Sequence, residues 1–82
     1  MTDLKHKIID YWLEEYRARR WPFVGRIQMA NAMGDDLQSI NEALKELWME
    51  KKVIFRKGVN DTLIVYVGDQ KILAEIKDLI NK

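Results

Sequence analysis

Between Arg26 and Val67 the chain carries a pattern that few folds accommodate. A short apolar-spaced segment is broken at Gly34, a longer one starts at Asp35-Asp36, and two β-branched runs joined by a polar turn follow. In the longer segment Leu37, Ile40, Leu44, Leu47 and Trp48 recur at helical spacing, which leaves Gln38, Ser39, Asn41, Glu42, Lys45 and Glu46 on the opposite face. The spacing predicts a helix from Asp36 to about Lys51, with one face in a core and the other toward water or a partner. Asp35 and Asp36 stand where a carboxylate accepts from the unpaired N–H groups of a first turn. Gly34 stands where the preceding helix, carrying Ile27, Ala30 and Met33 inward, must stop in the left-handed conformation of a tight turn. Lys51 and Lys52 complement the carbonyl end of the longer helix.

Upstream, Leu4, Ile8, Tyr11, Trp12 and Tyr16 form the stripe of a first helix, capped at Thr2 or Asp3 and widened by Ile9 and Leu13. That breadth leaves apolar surface for a second copy of the chain, or for half-buried aromatics. Trp21-Pro22-Phe23 ends this helix, because proline disfavours helical geometry in the residue before it. Phe23 and Val24 then suit the edge of a small sheet. Downstream, VIFRK and TLIVYV flank the turn formers Gly58-Val59-Asn60-Asp61 and predict a β-hairpin. Its register stays open. One pairing puts Val53 and Phe55 with Leu63, Val65 and Val67, leaving Ile64 and Tyr66 on the other side. Asp69 opens a last helix, about 69–81, in which Ile72, Leu73, Ile76, Leu79 and Ile80 form a seam. The seam packs on its own domain or crosses the same helix of a partner, and the spare apolar surface of the first helix favours the partner.

Eighty-two residues, 48% hydrophobic and 33% charged, suit one folded soluble domain spanning 1–82, near the size at which dimerisation supplies part of the stability. No apolar run approaches the roughly 20 residues of a membrane helix, so no membrane partner is expected. The start MTDLKHKIID lacks the apolar core of a signal peptide, and there is no cysteine, so a cytoplasmic location is expected. The net charge of +1 identifies no partner by itself. Clustering is more informative: Arg17, Arg19, Arg20 and Arg26 gather at one junction, and Lys51, Lys52, Arg56 and Lys57 at the start of the hairpin.

Catalytic chemistry finds little to work with. His6 is the only histidine and Ser39 the only serine, and the four glycines are scattered. No nucleophile with its base, no metal site and no phosphate-cradling loop can be assembled, so neither an enzyme nor a cofactor is expected.

The order helix, short strand, helix, turn, helix, hairpin, helix resembles the winged helix-turn-helix family of DNA-binding regulators. Ser39-Ile40-Asn41-Glu42-Ala43-Leu44-Lys45-Glu46-Leu47, followed by Met49-Glu50-Lys51-Lys52-Val53-Ile54, is similar to that family's recognition helix leading into its wing. The resemblance spans roughly residues 4 to 67. It implies an α+β, mainly α fold: a three-helix core, a two- to three-stranded β-wing and an added C-terminal helix used for dimerisation. It further implies sequence-specific binding of double-stranded DNA by a small dimeric transcription regulator. Gln38, Ser39 and Asn41 would face base edges, Lys45 phosphate, and Arg56, Lys57 and Asn60 the backbone or minor groove. Tyr11 and Trp12, with Ile72, Leu73, Ile76, Leu79 and Ile80, would form the dimer interface. One departure stands out. Asp35, Asp36, Glu42 and Glu46 make the reading helix acidic, which repels phosphate and suits instead a protein partner with a basic surface.

Overall fold

A computed structural model describes the backbone of residues 2–80 and the side chains of 4–80. The elements run α1 (Thr2–Arg19), β1 (Val24–Gly25), α2 (Arg26–Met33), α3 (Leu37–Met49), β2 (Val53–Lys57), β3 (Thr62–Tyr66) and α4 (Gln70–Ile80). The described residues make a small α+β fold, mainly helical, with four helices and one three-stranded antiparallel sheet in the order β1-β3-β2. No helix among the described residues is long and apolar enough to cross a membrane.

Helix α1 stops where the sequence directs. Arg20 turns left-handed (φ 53°) and donates its N–H to the Tyr16 carbonyl at 2.7 Å, and Pro22 lies fully buried beyond it. The capping side chains expected at Thr2 or Asp3 lie outside the described residues. Ile8, Trp12 and Tyr16 form the buried stripe, with Leu4, Ile9, Tyr11 and Leu13 half-buried around it. The Trp12 and Tyr16 rings stack at 5.3 Å, 10° apart.

The bend between α2 and α3 also follows the sequence. Gly34 has φ 72° and donates to the Ala30 carbonyl at 3.0 Å; this left-handed geometry suits glycine because no Cβ meets the following carbonyl. Asp36 caps α3, accepting from the Ser39 N–H at 2.8 Å. The bonds from the Ser39 backbone and hydroxyl hold the Asp36 carboxyl below its ordinary value. Because the folded-state pKa is the lower one, the stabilisation is present above the unfolded pKa and is lost as pH falls through the folded value. Asp36→Asn keeps an acceptor but not the charge. It is therefore expected to flatten the acid limb of a stability profile below about pH 4, measured by urea unfolding at successive pH values.

The buried faces are centred differently from the expectation. In α2 it is Met29 and Ala30 that are buried, while Ile27 is exposed and Met33 half-buried. In α3 the seam is Ile40, Ala43, Leu44 and Leu47. Leu37 and Trp48 fall at its edge on one flank, and both are exposed, Trp48 by 53%. A set at i, i+3, i+4 and i+7 defines the contact line, and residues rotated past its edge meet solvent unless a further element covers them.

Helix α3 ends at Met49, two residues short of the expected limit. Lys51 adopts φ 62°, donating its N–H to the Trp48 carbonyl at 3.0 Å, while Lys52 donates to Leu47 at 2.9 Å. A side chain in this conformation crowds its own carbonyl. Lys51→Gly is expected to raise stability by up to about 1 kcal/mol, read as a higher urea midpoint at unchanged slope.

In the hairpin, Val53 pairs with Tyr66, Ile54 with Val65, Phe55 with Ile64, Arg56 with Leu63 and Lys57 with Thr62. Cross-strand partners share a face. Val53 and Phe55 therefore lie with Ile64 and Tyr66, not with Leu63 and Val65, and Val67 falls just past the strand. The pattern could not decide because Ile64 and Val65 are both fully buried. Strand β3 is central: β1 pairs with it on one edge (Val24 with Ile64), β2 on the other. Trp12 locks it to α1, its indole N–H shared between the Pro22 carbonyl at 2.9 Å and the Ile64 carbonyl at 3.0 Å. Helix α4 is capped by Asp69, which accepts from the N–H groups of Lys71 and Ile72 at 2.9 and 3.2 Å. It is tied down twice. Tyr16 Oη donates to Glu75 at 2.6 Å, and Arg56 donates to the Ile80 carbonyl at 3.0 Å.

Candidate nucleic-acid interface

The exposed side of α3 is divided along its length. Gln38, Asn41, Lys45 and Trp48, spaced i, i+3, i+7 and i+10, run as one exposed stripe. Asn41, Lys45 and Trp48 form one wall of a groove whose other wall includes Phe55 of β2 and Thr62 of β3, with Arg26 of α2 also lining it. Ser39, Glu42 and Glu46 run on the other flank and border a shallow depression beside Leu4 of α1.

This division rearranges the acidic residues. Lys5 of α1 is paired to Glu50 by a short bond and lies 3.7 Å from Glu46; Glu50 is also 3.5 Å from Lys52. The hydrogen bond between them, outweighing desolvation, holds the Glu50 carboxyl below its ordinary range and the Lys5 ammonium above its own. Asp36 is occupied by the cap, and Asp35 lies 3.9 Å from Lys7. The acidic face is thus partly neutralised from within the chain and turned toward α1. The groove lining contains no carboxylate.

Of the residues expected to meet DNA, Gln38, Asn41 and Lys45 come together on the exposed stripe, and Lys57 and Asn60 project from the hairpin and its tip. Among the described residues Lys45 and Lys57 have no carboxylate partner. Two others are placed differently. The Ser39 hydroxyl donates to Asp36 at 3.0 Å, so it belongs to the cap, on the α1 flank. Strand alternation turns Arg56 to the face opposite Phe55 and Lys57, where it binds the C-terminal carbonyl of α4 instead of reaching outward.

Asp61 fixes the hairpin to the helices, a role the sequence reading missed. Its carboxylate accepts from the Ile27 N–H of α2 at 2.8 Å and from Thr62 at 2.7 Å, and lies 4.0 Å from Arg26. It is a cap for α2 supplied from 34 residues away. Helix α2 has no local substitute, because its N-cap residue is Gly25, and a Cβ there would stand 2.6 Å from the Asp61 carboxylate. The paired signal of a glycine before a helix and an aspartate in a distant turn has no local periodicity.

The expected dimer residues divide as well. Trp12 and Ile76 are fully enclosed in the protomer's own core and have no surface to offer a second copy. The indole of Trp12 is needed by β3, and Ile76 is the fully buried residue of α4, with Ile72, Leu73 and Ile80 partly buried against the same core. Tyr11, Ile72, Leu73, Leu79 and Ile80 keep partial exposure. Among the described residues no group of three or more His, Cys, Asp or Glu is placed to hold a metal ion. Comparison with protein-family models, with curated proteins and with solved structures found no match to the chain.

Proposed function

We propose that the protein is a winged helix-turn-helix module that binds double-stranded DNA sequence-specifically, as a small homodimeric transcription regulator without catalytic activity. In that reading α2, the Gly34 bend and α3 form the helix-turn-helix, and β2, β3 and their turn form the wing. The observation that carries it is the stripe Gln38, Asn41 and Lys45: exposed, with Asn41 and Lys45 lining a groove beside the hairpin whose lining holds no carboxylate. Amide side chains at Gln38 and Asn41 match the paired donor and acceptor of adenine in the major groove, and Lys45 and Lys57, both exposed, would meet phosphates. The Lys5 pairing with Glu46 and Glu50 weakens the alternative of an acidic surface for a basic protein.

The test is selection from random duplexes at low salt, followed by a salt titration on the recovered site. Wild type is expected to enrich one motif. Lys45→Ala/Lys57→Ala is expected to flatten the slope of log affinity against log salt by about 1.8, at about 0.9 per phosphate contact. No enriched motif, or an unchanged slope, counts against the proposal. For the dimer, α4 keeps Leu73 and Ile80 partly exposed around a depression at Ala74. Sedimentation equilibrium is expected to show a dimer that Leu73→Lys dissociates, and a wild-type monomer throughout would remove that part of the proposal.

A further inference from the structure

The groove between α3 and the sheet has the composition of a small-molecule site as well as the position of a DNA-facing one. Its volume is about 320 Å³, at the lower end of the range of ligand pockets. Trp48 and Phe55 line it from the helix and from the sheet, and Leu44 contributes further apolar surface. Its charge comes only from Arg26 and Lys45. Asn41 and Thr62 add an amide and a hydroxyl.

Two features of this lining are unexplained by folding. Trp48 leaves half of its surface in water although it sits one position from the buried Leu47, so its indole is held at the rim without being needed by the core. The Arg26 Nε is buried and makes no hydrogen bond, with Asp61 no closer than 4.0 Å. Buried N–H groups are normally paired, so Asp61 satisfies Arg26 only loosely, and the partly exposed guanidinium at the groove keeps capacity for a second acidic partner. An aromatic ring gains most from surfaces that are apolar and flat, and its acidic substituent gains most from Lys45, which has no carboxylate partner among the described residues.

We propose that this groove binds a small planar aromatic anion, its ring against Trp48 and Phe55 and its carboxylate or equivalent acid toward Arg26 and Lys45. Asn41 and Lys45 also belong to the stripe assigned to DNA, so ligand and duplex exclude one another; only this coupling rests on the DNA reading. The site itself stands without it.

The experiment uses the full chain and 2-naphthoate as probe, with the uncharged 2-naphthamide as its control. Titration without DNA is followed by amide and indole N–H shifts. Saturable shifts are expected at the Trp48 indole and at Asn41, Lys45 and Thr62, with 2-naphthamide at least tenfold weaker. Trp48→Ala, which removes an exposed ring, is expected to lose tenfold or more for both probes, while Lys45→Gln should lose affinity for the naphthoate alone. Equal affinity for the two probes, unsaturable shifts, or shifts confined to other surfaces would overturn the site. In a second arm, naphthoate is expected to raise the apparent Kd for the selected duplex linearly with its free concentration, doubling it at the concentration that half-fills the groove. A Kd unmoved at saturating naphthoate would overturn the coupling while leaving the site in place.

Discussion

Trp12→Ala is expected to leave the protein largely unfolded at room temperature. Replacing a fully buried tryptophan by alanine costs about 3 to 5 kcal/mol in lost burial and cavity, and Trp12 is 1% exposed. The indole also holds the Pro22 and Ile64 carbonyls, which join the end of α1 to the central strand. Removing it leaves two buried acceptors without that partner, at about 1 to 3 kcal/mol each. A chain of this size has in total about 4 to 12 kcal/mol of stability, so the loss approaches the whole. Trp12→Phe keeps a ring in the cavity but not the N–H, and is expected to fold with a stability lower by about 1 to 3 kcal/mol. Trp48→Ala provides the contrast. Its ring is half exposed at the groove, and the change is expected to stay within about 0.5 kcal/mol. Urea unfolding followed by far-UV circular dichroism separates the three.

The second large effect is expected at Asp61. Asp61→Ala removes a carboxylate that serves the N–H groups of Ile27 and Thr62 and faces Arg26. Hydrogen bonds to a charged group contribute about 1.5 to 3 kcal/mol each, and partial exposure here lets water replace some of that. A loss of about 2 kcal/mol is expected. Gly25→Ala is expected to act on the same contact from the other side, since the new methyl would meet the Asp61 carboxylate. The two changes should therefore be strongly non-additive: once Asp61 is alanine, Gly25→Ala should cost little. Additivity in a double-mutant cycle would mean that the Gly25 site and the Asp61 carboxylate are not in contact. The cycle also bears on the groove, because Asp61 faces Arg26, which lines it.

What the sequence made legible was local. The Gly34 bend, the Asp36 cap, the break at Pro22 and the hairpin turn each depend on a residue whose chemistry acts within a few positions, and each is found where expected. What stayed hidden depends on contacts distant in the chain. Trp48 and Leu37 fit the helical period as well as any core residue, and only the position of the sheet shows that nothing covers them. Arg56 reads as a free basic residue of a hairpin until α4 is seen to bring the Ile80 carbonyl to it. The acidity of α3 is a property of composition, whereas the pairing of Glu46 and Glu50 with Lys5 is a property of packing across more than 40 residues. The seam of α4 was legible as apolar, but not its division. Ile76 goes to the protomer's own core, and Leu73 and Ile80 stay partly outside.

The proposal centres on the exposed stripe Gln38, Asn41 and Lys45 of α3, together with the hairpin, as the surface that meets DNA. Its most direct test is an amide-shift map of the labelled protein on addition of the selected duplex at low salt. Shifts are expected to concentrate at Gln38, Asn41 and Lys45 and at Lys57 and Asn60, with Glu42, Glu46 and the first turns of α1 little changed. A map centred on the acidic flank and α1, or no shift at the stripe while duplex is bound, would contradict it.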